Sequence, residues 1–316
     1  MARIKQDSHL YHPLKYVDIL TDYGFKLLFG DKELLMAFLN ALFEESGKVV
    51  TSVRYLGKEI VAVHRNSRTI YYDLLCKING EENVIIEMQF RSQETFVERS
   101  FYYMAQSIMH QGDNKRNWNY KTYPVYGIFL MNFHLPVPNA PKKVVNEVVP
   151  VFKGTDTQLT DKFKMFFIDL LNFDKTTEDD LQTRFDYWIY SIKNMGKITT
   201  APKMATRTPY NRLYSRAEIA NMNPRQYREY EASLKLARDS YSITQTIRNE
   251  KKREREEGRA EGIAQGMAQG MAQGMAQQLL ENIKNLMSAG FDFNKVVEML
   301  KIPAEKIDEL REMLSK

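Results

Sequence analysis

Ile70-Tyr71-Tyr72-Asp73-Leu74-Leu75-Cys76-Lys77-Ile78-Asn79-Gly80-Glu81-Glu82-Asn83-Val84-Ile85-Ile86-Glu87-Met88-Gln89-Phe90-Arg91 is the stretch whose reading decides the fold. Two runs rich in β-branched and aromatic residues flank Asn79-Gly80, a strong short-range signal for a β-hairpin. Each run carries one carboxylate among apolar neighbours, Asp73 in the first and Glu87 in the second. A buried charge without a partner is costly, and two carboxylates on neighbouring strands repel each other. One solution is a pair satisfied by nearby Lys or Arg. A hard divalent cation held by oxygen ligands explains more, because Glu87 follows Val84-Ile85-Ile86, where a lone carboxylate has little reason to be.

Register decides whether the two acids meet, since side chains alternate faces and a one-residue slip separates them. A two-residue turn at Asn79-Gly80 pairs Ile78 with Glu81 and puts Asp73 opposite Ile86. A three-residue loop, Asn79-Gly80-Glu81, pairs Ile78 with Glu82 and puts Asp73 opposite Glu87. The acid pair therefore predicts a three-residue loop or a bulge in one strand. Gln89, two residues beyond Glu87, shares its face.

The bounds set by composition agree with an intracellular enzyme or binding protein. At 316 residues, one sizeable domain with an appendage is expected, and 43% hydrophobic residues suffice for a real core. A net charge of +5 permits nucleic-acid binding without demanding it. The single cysteine, Cys76, excludes an intrachain disulfide and reads as a small buried apolar residue rather than a nucleophile. The polar N-terminus carries no apolar signal region, and no run approaches a membrane span. The expectation is a cytoplasmic protein with no membrane partner.

Outward from the hairpin, Thr21–Gly30 reads as a short helix ended by glycine. Asp31 caps a second helix over 32–45 with Leu34, Leu35, Phe38, Leu39 and Leu42 on one stripe. Asp22 and Lys26 are i,i+4 neighbours: a surface ion pair worth about 0.2–0.5 kcal/mol, or two groups aimed at the acidic hairpin. Strands at 49–56 and 59–65 join 70–76 and 83–90 in an antiparallel meander. A helix over 94–112 buries Phe101, Met104 and Ile108, and puts Arg99 and Tyr103 on a face that suits either the carboxylates or a phosphate. Strands follow at 123–135, 144–151 and 162–171, then a helical region from Thr183 containing Tyr187, Trp188, Tyr190 and Ile192. The class is α/β or α+β with a mixed sheet.

Helices over 210–220 and 224–256 come next, the second laced with both signs of charge, which favours a solvated face over a nucleic-acid stripe. Then a four-residue repeat begins at Gly262, Gly266, Gly270 and Gly274, each glycine followed by Ile or Met, Ala and Gln. Glycine costs about 1 kcal/mol per helical position relative to Ala. The repeat reads as a frayed helical linker or a self-association segment, and both readings stand. Residues 277–316 give two or three short helices, with Gly290 ending the first and Pro303 starting the last. The expected organisation is a core over 1–200, a helical extension over 201–257, a repeat linker over 258–278 and a small helical module over 279–316.

Asp22-x-x-Phe25-Lys26-x-x-Phe29-Gly30, Asp73-Leu74-Leu75, Ile85-Ile86-Glu87-Met88-Gln89, and Arg99 with Tyr102-Tyr103 occur in an order that resembles the PD-(D/E)xK nuclease family transposases, the recombination-promoting nuclease family. The resemblance covers residues 14–260. It implies a restriction-endonuclease-like α/β core, a mixed sheet flanked by helices with an α-helical C-terminal extension, that cuts DNA with Mg²⁺, Mn²⁺ being a possible substitute. On that carry-over Asp73, Glu87 and the main-chain carbonyl of Met88 hold the metal. Gln89 stands where the wider superfamily has lysine, Asp22 and Lys26 match the N-terminal motif, and Arg99 and Tyr103 are the DNA-binding candidates. Tyr72 stands where the superfamily name has proline. Gln89 can orient a water but cannot act as a base. The sequence thus points to a Mg²⁺-dependent DNA endonuclease associated with recombination or transposition. The competing expectation is a catalytically silent DNA- or partner-binding protein that forms a homo-oligomer through its C-terminal helices.

Overall fold

A computed structural model describes residues 15–57, 59–60, 70–112 and 119–315. In chain order the elements are α1 (Asp22–Phe29), α2 (Lys32–Leu42), β1 (Val53–Tyr55), β2 (Glu59–Ile60), β3 (Ile70–Tyr71), β4 (Leu74–Ile78), β5 (Glu82–Gln89) and α3 (Phe96–Met109). They continue with β6 (Val125–Met131), β7 (Val145–Val148), β8 (Phe163–Asp169), α4 (Arg184–Asn194), α5 (Tyr210–Ala217), α6 (Pro224–Ser288), α7 (Phe293–Met299) and α8 (Ala304–Ser315). The chain divides into two compact units, one to Ser240 and one from Tyr241 to the end, so that α6 contributes to both.

The first unit is built on a six-stranded sheet in the order β1-β4-β5-β6-β8-β7. β1, β4 and β5 run antiparallel; β5, β6 and β8 run parallel; β7 returns antiparallel at the edge. The expected mixed sheet between helices is therefore the observed architecture. One face, with Leu74, Ile86, Ile128 and Leu130, packs on Phe29 of α1, Phe38 of α2 and Trp188 of α4. The other, with Leu75, Ile85, Phe129 and Phe167, packs on Phe96 and Met104 of α3. Because β5 and β6 are covered on both faces, their sequences run apolar instead of alternating, as buried parallel strands do.

The hairpin has the three-residue loop that the acid pair required. Ile78 pairs with Glu82 and Leu74 with Ile86. Asn79 (φ 47°) and Gly80 (φ 95°) are both left-handed, the conformation for which these residue types are suited. Asn79 is pinned there by its own side chain, whose Oδ1 accepts the Thr51 N–H at 2.9 Å and whose Nδ2 donates to the Val49 carbonyl at 2.8 Å.

Three expectations need correction. The four strands do not form one meander: β3 pairs with β2 in a separate two-stranded sheet, and β4 starts afresh at Leu74, pairing with β1. The break falls at Tyr72-Asp73, where the Asp73 N–H leaves the ladder to bond a side chain. Residues 61–65 of the second expected strand lie outside the described residues. On α3 the buried stripe is Phe96, Ser100, Met104 and Ser107, whereas Phe101 is 45% exposed and stacks on Phe163 at 6.3 Å. One residue turns a helix by about 100°, which carries Phe101 off the buried face. The helix expected to end at 256 continues through the glycine repeat to Ser288. Three of every four repeat positions there are Ala, Gln, Met or Ile, and the first three of these are good helix formers that offset the glycine cost.

Within the second unit, Ile283, Val296, Ile302 and Leu310 make a small core between the end of α6, α7 and α8. Gly290 (φ 94°) ends α6 and Pro303 immediately precedes α8. No helix among the described residues is long and apolar enough to cross a membrane.

Candidate metal centre and its cleft

The two hairpin carboxylates meet through the backbone. Asp73 N–H donates to Glu87 Oε1 at 3.0 Å, and Met88 N–H donates to Asp73 Oδ2 at 3.0 Å. Each acid therefore terminates the neighbouring strand's hydrogen bonding. Glu87 is only 3% exposed. Burial first, then the adjacent Asp73 charge, push its carboxyl up to about 8, against the opposing pull of the Asp73 N–H, Arg99 and the Gln89 side chain. A carboxylate so placed favours any cation that can replace its proton.

The Met88 carbonyl faces the same place. Gln89 O accepts from Asn132 N–H at 3.0 Å, so it points toward β6. Carbonyls alternate sides along a strand, which turns the Met88 carbonyl the other way, to the edge where its own N–H meets Asp73. Among the described residues no three His, Cys, Asp or Glu side chains converge as a metal cage. Asp73 and Glu87 adjoin through these two backbone bonds, and two carboxylates beside a main-chain carbonyl are a donor set of the kind that suits Mg²⁺, which takes one or two carboxylates and keeps several waters.

α1 brings the N-terminal motif to this edge. Thr21 caps it by accepting the Gly24 N–H at 3.1 Å. Only glycine fits at position 24, because a Cβ would lie 2.2 Å from the Asp18 carbonyl oxygen. The start of α6 is fastened alongside: Tyr230 Oη accepts the Asp18 N–H at 3.1 Å and Ser233 Oγ accepts the Tyr23 N–H at 3.0 Å. Between α1, the end of β5 and α6 lies a cleft of about 740 Å³ lined by Asp22, Lys26, Asp73, Met88, Gln89, Arg91, Glu229 and Ser233, among others. Asp22 and Lys26 form the expected ion pair, with side chains 65% and 52% exposed, and both line the cleft.

Arg99 and Tyr103 do not line the cleft but stand behind Glu87 on α3. Tyr103 packs edge-on against Tyr72 at 5.1 Å, Arg99 lies 5.9 Å from the Tyr103 ring, and Arg99 Nη1 donates to Gln93 Oε1 at 2.7 Å. Cys76 is fully buried with its thiol pushed up to about 12 by burial, which fits a core residue. Sequence reasoning missed the α6 wall, more than 130 residues from the hairpin. It also passed over Arg91, whose only signal was its place two residues past Gln89.

A family model described as PD-(D/E)XK nuclease family transposase matches residues 19–246. The chain belongs to this family. Searches of curated proteins and of solved structures return no match. Membership in the PD-(D/E)XK transposases supports a nuclease- and transposition-associated role. The matched span contains every residue lining the cleft, from Leu20 to Ser240.

Proposed function

We propose that the protein is a Mg²⁺-dependent DNA endonuclease that hydrolyses phosphodiester bonds in recombination or transposition. The observation that carries this reading is the interlocked Asp73–Glu87 pair, of which Asp73 lines a cleft together with Met88, Gln89 and Lys26. Asp73, Glu87 and the Met88 carbonyl would hold Mg²⁺, or Mn²⁺ in its place. The ion supplies Lewis-acid polarisation of the scissile phosphate and neutralises the charge that develops on it. Gln89 orients the attacking water through its carboxamide, which both accepts and donates but carries no charge. Lys26, held by Asp22, adds the positive charge that the lysine of the superfamily motif otherwise provides. Arg99 and Tyr103 are assigned a supporting role at Glu87, with contact to flanking DNA as part of the same proposal.

The test is plasmid nicking in Mg²⁺, Mn²⁺, Ca²⁺ or EDTA, with Glu87→Ala alongside. Cleavage that needs Mg²⁺ or Mn²⁺ and disappears in the variant supports the assignment. A folded wild type inert under every ion favours the second reading, a silent binding protein that self-associates through its C-terminal helices. That reading draws on Ile263, Met267, Met271 and Met275, 55% to 71% exposed along the repeat. Light scattering of the full chain against residues 1–257 tests it, and an unchanged oligomeric state removes it.

A further inference from the structure

The geometry points to Arg91 as the seat for a backbone phosphate of the nucleic acid, next to the one being cut; this deepens the nuclease reading and rests on it. Arg91 lines the cleft, but its Nε and Nη2 are buried and have no hydrogen-bond partner among the described residues. These two N–H groups form one edge of the guanidinium fork, the edge that meets two oxygens of a phosphate or carboxylate. The same protein shows what that edge does when a partner is present. Arg212 Nε and Nη2 reach Asp31 Oδ2 at 2.9 and 2.7 Å.

Two acidic groups of the cleft are paired with other cations. Asp22 pairs with Lys26, and Glu229 pairs with Arg225 at 2.9 Å. An unpaired cationic edge is costly to bury, and a turn of the side chain into the cleft it lines lets it meet an anion from outside. Position selects which anion. Arg91 follows Gln89 by two residues, at most about 7 Å of extended chain, a separation of the order of one nucleotide step. It lies beyond the carboxyl end of β5, which is parallel to β6, and in open α/β sheets ligands collect there. A phosphate at the candidate metal centre therefore places a neighbouring phosphate of the same strand within reach of Arg91. Arginine suits this role better than lysine because the fork fixes direction as well as charge.

The experiment measures binding of a short fluorescent duplex to the full chain by anisotropy, in Ca²⁺ and across a salt series, together with Mn²⁺ affinity and nicking kinetics. For Arg91→Ala we expect affinity to fall about tenfold and the log–log salt slope to shrink by about 0.9, one phosphate contact. Mn²⁺ affinity stays at the wild-type value, and the loss in nicking appears in KM before kcat. Arg91→Lys keeps the slope and recovers part of the affinity. Wild-type affinity and slope in Arg91→Ala overturn the inference while leaving the nuclease reading intact. If the wild type nicks nothing under any ion but Arg91→Ala still loses the slope, the phosphate seat stands and the catalytic reading falls. Joint loss of Mn²⁺ affinity in Arg91→Ala and Arg91→Lys means a structural role, and overturns the inference. Should Arg91→Ala not fold, Arg91→Lys and Arg91→Gln decide by the same slope.

Discussion

Glu87 combines deep burial with a second carboxylate beside it, and its chemistry can be read by pH. Its carboxyl is pushed up to about 8 in the folded chain, from an ordinary value of 4.5. Between those values the folded state holds a proton that the unfolded state has released. The slope of stability against pH is therefore negative. Stability from this group is fully present below the unfolded value and is lost as pH rises through the folded one. We expect the melting temperature of metal-free protein to decline from about pH 5 to about pH 8, and Glu87→Gln to flatten that decline. A flat wild-type profile over this window would contradict the burial argument. If Mg²⁺ binds as proposed, it competes with the same proton, and metal affinity measured by calorimetry should rise across the same window. Gln89→Ala should lower kcat about 100-fold, the usual scale for removing one oriented polar group from a charged transition state, with metal affinity retained.

The hairpin loop and the first turn of α2 set the geometry one level up. Gly80 sits at φ 95°, and a methyl group added to it would meet nothing within 4 Å, so Gly80→Ala tests backbone conformation alone. It should cost about 1 kcal/mol, a drop of about 2–4 °C in Tm for a unit of this size, with cleavage by the folded fraction unchanged. A larger loss, or loss of metal binding, would mean that the loop also fixes strand register. Asp31 accepts the Glu33 and Leu34 N–H groups at the start of α2 and is clamped by Arg212. Burial alone would raise its carboxyl, but the Arg212 bond, the Leu34 N–H and the charges of Arg212 and Arg216 outweigh this and hold it below the usual range. Its contribution is therefore present above the unfolded value and disappears as pH falls through the folded one. Asp31→Ala should destabilise by about 2–4 kcal/mol in neutral urea titrations, and by clearly less in acid. Equal losses at both pH values would assign the effect to packing.

Across the whole molecule, local signals were legible and distant ones were not. Asp31 and Asn79-Gly80 announced themselves because caps and turns are decided within three or four residues. The Asp73–Glu87 register was also readable, because a two-residue turn separates the acids and only a three-residue loop or a bulge brings them together; the loop is what forms. The break at Tyr72-Asp73 was hidden, since it depends on a side chain of the next strand taking the Asp73 N–H. Phe101 was misplaced because an aromatic residue in a helix gives no sign of which of two adjacent faces will meet the sheet. The cleft wall from α6 had no signal at all: Tyr230 and Ser233 reach Asp18 and Tyr23 across more than 200 residues. Since the cleft is complete by Ser240, a chain ending at residue 246 should nick plasmid as the full chain does. Loss of cleavage there would give the remaining helices a part in catalysis. The cross-bonded acids have one more consequence. Each needs a single oxygen to accept a backbone N–H, and an amide supplies that oxygen as well as a carboxylate does. Exchanging one oxygen for NH₂, as in Asp73→Asn or Glu87→Gln, should therefore keep these two bonds while removing charge from the proposed metal site. On the proposed reading, a cutter and an inert clasp for the same DNA would differ by one atom group.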